Sequence, residues 1–480
     1  MYRKVVTRRT LLQGAAISTV LATAGSQSSR ANSARKPNIL FILADDLGYA
    51  DLSSYGHPTI KTPHIDSLGQ NGTRFLQAYS NSAVCSATRT ALITGRYQYR
   101  LPLGLEEPLA GADVGLPPEH PTLPSLLKKA GYQTTLIGKW HMGSLPKFGP
   151  LQSGYEHFYG FRGGAVDYYS HDSNKKNDFW DDDVAIEKVG YLTDLLGDRA
   201  VETISSNVKA NKPFLISLHF SAPHWPWEVP GEEGKKESER IARQSLSLAT
   251  FDAGSQEIYR RIVERLDYQI GRVLEALKDN GVADDTIVIF TSDNGGERFS
   301  NTWPFSGKKS ELLEGGLRIP ALIRWTGKIA AGRATNQVAI SMDWLPTLLE
   351  AAGTTPDPAF PPDGISLLPV LTGATPVKER KLFWRYKGNK QRAARIGDDK
   401  YLKILDNTFL FNVVHDPLER TNLKTRNSDT YKKILSEWRA WNASMLSETD
   451  ASYTFGFSGD QFADHIGARA PTRDRDVDQD

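Results

Sequence analysis

With 480 residues, 39% hydrophobic and 24% charged, the chain has the make-up of a soluble globular protein and is longer than one hydrophobic core usually grows, so a large domain plus a smaller one is expected. Its 58 basic and 56 acidic side chains leave a formal net charge of +2, which gives no reason to invoke nucleic acid. A single cysteine, Cys85, excludes a fold stapled by internal disulfides.

Residues 1–35 read as a signal peptide rather than fold. Arg3, Lys4, Arg8 and Arg9 form a basic start, and Gly14 to Ala24 is a mildly apolar run far below the ~20 apolar residues a membrane span needs. Ala22-Thr23-Ala24 offers an Ala-x-Ala cleavage site. Thr7-Arg8-Arg9-Thr10-Leu11-Leu12 resembles a bacterial twin-arginine export signal, with Gln13 where a lysine is usual; a Sec signal carrying two arginines is the alternative. Either route puts the mature protein outside the cytoplasm, periplasmic or secreted.

From Asn38 the pattern is strand, polar loop, helix, repeated. Asn38 to Leu43 is a continuous apolar run, as suits a strand buried on both faces, and it ends in Ala44-Asp45-Asp46. A helical stretch from Leu123 to Ala130 precedes the run Thr134 to Ile137, which ends in Gly138-Lys139-Trp140-His141. Phe214 to Phe220 ends in Ser221-Ala222-Pro223-His224, and Thr286 to Phe290 in Thr291-Ser292-Asp293-Asn294-Gly295-Gly296. Pro320 to Ile323 closes the series. Asp-Asp alone can cap a helix and Asp-Asn-Gly-Gly alone can be a turn. Polar clusters after four such strands instead converge on one site, because ligands of open α/β sheets bind beyond the carboxyl ends of the strands.

Leu345 to Gly353 reads as a helix with Pro346 in its first turn, and a Pro-rich link follows from Thr354 to Pro362. Short alternating runs then predict a small antiparallel sheet: Arg380 to Tyr386, Arg392 to Ile396, Lys400 to Leu405 and Phe409 to Val413. Thr430 to Met445 reads as an amphipathic helix packed on it. The expected division is a catalytic domain over 36–375, a C-terminal subdomain over 376–450 and a polar tail over 451–480.

Cys85-Ser86-Ala87-Thr88-Arg89, continued by Leu92-Ile93-Thr94-Gly95-Arg96, resembles the signature of type I sulfatases, with Ala87 where proline is commoner. The resemblance extends to Asp45-Asp46-Leu47-Gly48, Gly138-Lys139-Trp140-His141, Pro223-His224-x-Pro226, Asp293-Asn294-Gly295 and Lys309 through Pro320. At the C-terminus it takes in Arg395 to Tyr401 and Asp416 to Leu423. It implies a formylglycine-dependent, arylsulfatase-like enzyme of the alkaline phosphatase superfamily. The implied fold is α/β: a large, mostly parallel sheet flanked by helices, with a smaller C-terminal antiparallel sheet and helix.

In that family the cysteine is oxidised to formylglycine by a maturation enzyme, the further partner that the resemblance implies. Asp45, Asp46, Asp293 and Asn294 are hard oxygen donors suited to Ca²⁺ or Mg²⁺. By resemblance they hold one divalent cation, usually calcium, together with an oxygen of modified Cys85. The resemblance further implies that a hydroxyl of the hydrate attacks sulfur, with Asp293 accepting its proton, and that His224 protonates the leaving oxygen. Lys139 and Lys309 clamp the sulfate, His141 takes the proton of the second hydroxyl, and Arg89 fixes the hydrate. The resemblance points to Lys309 rather than Lys308, because Lys309 lies five residues before Glu314, the spacing of the family; His219 reads as a packed histidine supporting the site.

The implied substrate is a sulfate monoester of a phenol or a carbohydrate. The segment Gly163 to Asp172 resembles one in arylsulfatase B-like enzymes, making His171 a candidate substrate contact. Trp225, Trp227, Trp303 and Phe305 either stack on a substrate ring or cover the core. Two rivals stand beside this reading: a phosphonate monoester or phosphodiester hydrolase of the same superfamily, and a non-catalytic sulfated-glycan binder with Cys85 unmodified.

Overall fold

The apolar run after the N-terminal segment forms β1 (Asn38–Ala44), which is buried at every position. The computed structural model describes residues 36–105, 113–173, 175–248 and 253–448, so the expected signal peptide and the 451–480 tail lie outside the described residues. The next strands are β2 (Thr73–Tyr79), β3 (Gln133–Lys139) and β4 (His157–Phe161). A two-stranded ribbon follows, β5 (Asp172–Ser173) with β6 (Lys176–Asn177), and then the short β7 (Trp180–Asp181) and β8 (Val184–Ala185). β9 (Phe214–His219) and β10 (Thr286–Ser292) are again buried throughout. β11 (Arg318–Arg324), β12 (Arg333–Thr335) and β13 (Ala339–Ile340) complete the large sheet.

Its order is β12-β2-β11-β10-β1-β9-β3-β4-β7-β8, with β13 also paired to β2. β10, β1, β9, β3 and β4 run parallel to one another, whereas β11 is antiparallel to β10. All four strands expected to end in polar clusters are therefore neighbours pointing the same way.

Side chains alternate across a strand, and β1 divides accordingly. Leu40, Ile42 and Ala44 join an apolar cluster with the long helices Leu192–Lys209 and Gln256–Asp279. Ile39, Phe41 and Leu43 join a second cluster with the helices Leu123–Lys129 and Trp344–Ala351. Helices thus cover both faces of the sheet, which explains its continuous apolar runs.

The C-terminal runs form an antiparallel meander, β14 (Lys381–Tyr386), β15 (Gln391–Ile396), β16 (Asp399–Ile404) and β17 (Asn407–Asn412). The helix Ser428–Ala443 lies on it through Ile434, Trp438 and Trp441. This layer shares a third apolar cluster with Tyr79, Val84, Ala87 and Tyr99 of the larger layer. The same junction holds a buried ion cluster in which Lys400 Nζ lies 3.0 Å from both Glu314 and Glu419, and Arg318 lies 2.7 Å from Glu314. Among the described residues, no helix is long and apolar enough to cross a membrane.

Candidate active site

Four of the five parallel strands, β1, β3, β9 and β10, deliver polar clusters at the same edge. Asp45 and Asp46 follow β1, Asp293 and Asn294 follow β10, Lys139 ends β3 with His141 two residues on, and His224 lies five residues beyond the end of β9. Lys309 arrives by the opposite route. It precedes β11, whose antiparallel direction puts its starting end beside the finishing ends of the others.

Cys85 is the first residue of the helix Cys85–Thr94 and is 2% exposed. Its Sγ lies 3.4 Å from Asp45 Oδ1 and 3.9 Å from Asp46 Oδ1. Three ion pairs surround it. Lys139 Nζ is 2.6 Å from Asp45 Oδ2, and Lys309 Nζ is 2.7 Å from Asp46 Oδ2. Arg89 grips Asp293 Oδ2 through Nε at 3.0 Å and Nη2 at 2.8 Å, and lies 3.7 Å from Asp45. Three carboxylates thus face three cations in a site sealed from water, an arrangement tolerable only because every charge has a partner.

Burial and the nearby Asp45 push the Cys85 thiol well above its ordinary pKa. As a plain thiol it is a poor nucleophile, because the thiolate is the reactive form. Burial and Asp45 also raise Asp293, to about 6, against the pull of Arg89. Burial opposes ionisation of Asp46 too, but Lys309, His224 and Lys139 prevail and hold it well below the usual carboxylate range.

His224 Nδ1 lies 2.6 Å from the Trp225 carbonyl. A carbonyl only accepts, so Nδ1 carries the hydrogen and Nε2, 3.5 Å from Asp46 Oδ2, faces the site. His141 sits at φ 55° with its N–H bonded to the Arg162 carbonyl at 3.2 Å, and Asp46 is likewise left-handed at φ 63°. Such strained backbone gathers at functional sites. Burial first, then Lys309 for His224 and Lys139 for His141, depress both imidazoles well below their ordinary pKa. His219 lies 3.3 Å from the Lys139 carbonyl and 3.5 Å from Arg89, and packs edge-on against Phe41.

Asn294 supports the cation expectation. Its Nδ2 donates to Asp46 Oδ1 at 2.7 Å, while its buried Oδ1 accepts no hydrogen bond. A buried amide oxygen with no donor, beside three carboxylates, suits a hard cation. Donor atoms of Asp45, Asp46, Cys85 and His224 all lie within 4.8 Å of one another. The expected set and this group share Asp45, Asp46 and Cys85; Asp293 and Asn294 belong only to the first and His224 only to the second. Asp293 has Oδ2 on Arg89 and Oδ1 accepting the Asp46 N–H at 3.2 Å, whereas His224 Nε2 lies 3.5 Å from Asp46 Oδ2.

The substrate candidates separate. His171 is 1% exposed and stacks on the core residue Phe179 at 4.7 Å, so it presents almost no surface. Trp227 and Phe305 are buried against Phe299 and Tyr49. Trp225 stands 4.4 Å from the His224 ring, and Trp303 is 66% exposed.

Asp51 was not legible in the sequence. It is fully buried and accepts from Gly48 N–H at 2.7 Å, Tyr259 Oη at 2.7 Å, Ser300 Oγ at 2.6 Å and Asn301 N–H at 2.7 Å. It ties the loop after Asp46 to the loop after Asn294. Its partners other than Gly48 lie more than 200 residues away, and no local pattern announces such bonds.

Comparison with known proteins gives concordant matches. The family model described as Sulfatase matches residues 37–354, and that described as N-sulphoglucosamine sulphohydrolase, C-terminal, matches residues 307–440. N-acetylgalactosamine-6-sulfatase of Homo sapiens is 33% identical over 390 residues, 76% of this chain and 71% of that protein. Arylsulfatase A of Homo sapiens is 31% identical over 391 residues, 73% of this chain and 71% of that protein. The crystal structure of Ps i-CgsB in complex with k-i-k-neocarrahexaose superposes with a TM-score of 0.76 at 30% identity, covering 85% of this chain and 93% of that one.

Proposed function

The chain belongs to the sulfatase family and is a sulfuric ester hydrolase, and from that premise we propose that sulfate monoesters are cleaved at Cys85 in its formylglycine form. The observation that carries this reading is the buried cage of Asp45, Asp46, Asp293, Lys139, Lys309 and Arg89 around one cysteine whose thiol is held well above its ordinary pKa by burial and Asp45.

Formylglycine, as its hydrate, supplies one hydroxyl for attack on sulfur and a second that allows sulfate to leave. A hard divalent cation, Ca²⁺ or Mg²⁺, supplies charge that polarises the sulfate oxygens; the oxygens of Asp45, Asp46, Asp293 and Asn294 are proposed to hold it beside residue 85.

This chain's own side chains do the rest. Lys139 and Lys309 hold two ammonium groups beside Cys85, ready to bind a sulfate anion and to stabilise the charge that builds on it. His224, its Nδ1 fixed by a carbonyl, presents Nε2 as the atom that gives a proton to the leaving oxygen. Burial first and Lys309 second depress His224; an anionic ester offsets the second of these and so shifts the imidazole towards its protonated form. Asp293, gripped by Arg89, is proposed to accept the proton of the attacking hydroxyl and His141 that of the second, with Arg89 also fixing the hydrate.

A carbohydrate sulfate is the proposed natural substrate, supported by the sugar sulfate in the name of the N-acetylgalactosamine-6-sulfatase and by the oligosaccharide in the Ps i-CgsB structure. Trp225 and Trp303 are the proposed stacking surfaces. Export to the periplasm or beyond, a formylglycine-generating partner and the division at 375/376 complete the proposal. Turnover of 4-nitrophenyl sulfate, its loss in Cys85→Ala, and weaker turnover of a phenylphosphonate ester are the expected results. Preference for the phosphonate ester would overturn the choice of substrate class, and activity undiminished in Cys85→Ala would overturn the role of Cys85.

A further inference from the structure

We propose that Tyr168 is a positioning residue for the proton donor His224, and that the segment carrying it, residues 163–168, also seats the His141 ring; this rests on the acid role given to His224 above. Tyr168 is fully buried. Its hydroxyl donates to the His224 carbonyl at 2.9 Å, and its backbone N–H donates to Glu228 Oε2 at 2.8 Å. One residue therefore grips both ends of the stretch from His224 to Glu228.

That stretch has need of an outside hold, because Pro226 removes one of its N–H donors. Other bonds to it include the His224 N–H to the Ser221 carbonyl at 2.9 Å, the Glu228 N–H to the Pro226 carbonyl at 3.0 Å, and the Tyr191 hydroxyl to the Glu228 carbonyl at 2.9 Å. The Tyr168 and Tyr191 rings stack at 5.3 Å. On the far side, Asp167 Oδ1 accepts from the N–H groups of Tyr169 and Ser170 and from Ser238 Oγ, each at 2.8 Å, and so fixes the turn that presents Tyr168.

The hold reaches the imidazole in two steps. Tyr168 fixes the carbonyl of His224, and the next carbonyl, that of Trp225, receives the ring's Nδ1–H. A shift of the peptide between them turns the ring. Four residues before Tyr168, Gly164 lies so close to His141 that an added Cβ would stand 2.9 Å from Cε1 and Nε2 of its ring. The same short segment thus holds the His224 carbonyl and lies against the His141 ring.

Leaving-group dependence tests the proposal, because a displaced acid matters most when the departing oxygen is a poor leaving group. Tyr168→Phe keeps the stacked ring and deletes only the hydroxyl. It is expected to cut kcat/KM about tenfold for a sugar or alkyl sulfate and about twofold for 4-nitrophenyl sulfate. Tyr191→Phe removes the hydroxyl bonded to the Glu228 carbonyl at the far end of the stretch and is expected to lower both rates by one small factor. Equal losses in Tyr168→Phe, no loss, or the same differential in Tyr191→Phe would overturn the proposal. His224→Ala checks the acid role separately. A wide differential there with none in Tyr168→Phe rejects only the positioning role, whereas none in His224→Ala rejects the acid role and the positioning with it. If Tyr168→Phe does not fold, Glu228→Gln, which weakens the grip on the Tyr168 N–H, must give a differential of the same sign; a uniform change counts against the proposal.

Discussion

Arg89→Met should destabilise the fold through one identifiable charge. Arg89 is fully buried, and its Nε and Nη2 both end on Asp293 Oδ2 while Nη1 donates to the Lys139 carbonyl at 3.2 Å. Methionine fills most of the volume but leaves Asp293 unpaired beside Asp45. Removing one partner of a buried pair costs about 3–5 kcal/mol. At about 2.1 cal/mol/K of unfolding entropy per residue over roughly 400 residues, that lowers Tm by about 3–6 °C. The pH dependence carries the signature. Asp293 already titrates near 6, chiefly through burial and Asp45, and losing Arg89 raises it further. A carboxyl raised in the folded state contributes stability below its unfolded pKa and loses it as pH climbs through the folded value. The deficit should therefore widen from mildly acidic to mildly alkaline pH. Thermal melts of wild type, Arg89→Met, Asp293→Asn and the double variant across that range measure it. The double variant should recover part of the loss, and Ca²⁺ should stabilise Arg89→Met more than Asp293→Asn. A deficit independent of pH, with strictly additive single effects, would refute the charge explanation.

Lys309→Met should lower kcat for an aryl sulfate by about 10²–10³-fold, while Lys308→Met stays within a few-fold; similar losses in both would deny Lys309 its clamping role. Chelation with EDTA should abolish turnover, and added Ca²⁺ should restore it and raise Tm. Full activity in metal-depleted enzyme would remove the cation from the proposal. Burial raises Glu419 from 4.5 to about 7, with Glu314 adding to the shift and Lys400 opposing it, so the folded chain keeps a proton that the unfolded chain has released. That contribution is full below about pH 4.5, is lost as pH rises through 7, and is worth at most roughly 3 kcal/mol. The stability difference between wild type and Glu419→Gln should accordingly change across that window; parallel melting curves would contradict it.

How much was legible depended on burial. β1, β9 and β10 announced themselves as unbroken apolar runs because helices cover both their faces. β2 did not, since Arg74, Leu76 and Gln77 remain partly exposed and its sequence lacks both a continuous run and strict alternation. The site was legible because charges that would be costly alone follow apolar strands, and parallel neighbours must bring such ends together. The motif resemblance named Lys309, but its arrival at the same edge depends on the antiparallel direction of β11, which no local pattern supplies. His171 misled because a histidine in a Gly- and Tyr-rich loop reads the same whether it faces a pocket or, as here, Phe179. Tyr168 was passed over for the complementary reason: its importance lies in a carbonyl 56 residues away.

The decisive observation is the mass of the tryptic peptide Phe75–Arg89, which carries residue 85. An aldehyde at that position, trapped by a hydrazide reagent in enzyme that turns over 4-nitrophenyl sulfate, is the expected result. A free thiol that alkylates to completion in equally active enzyme would contradict it, since the nucleophile would then have to be something other than the side chain at the centre of the cage.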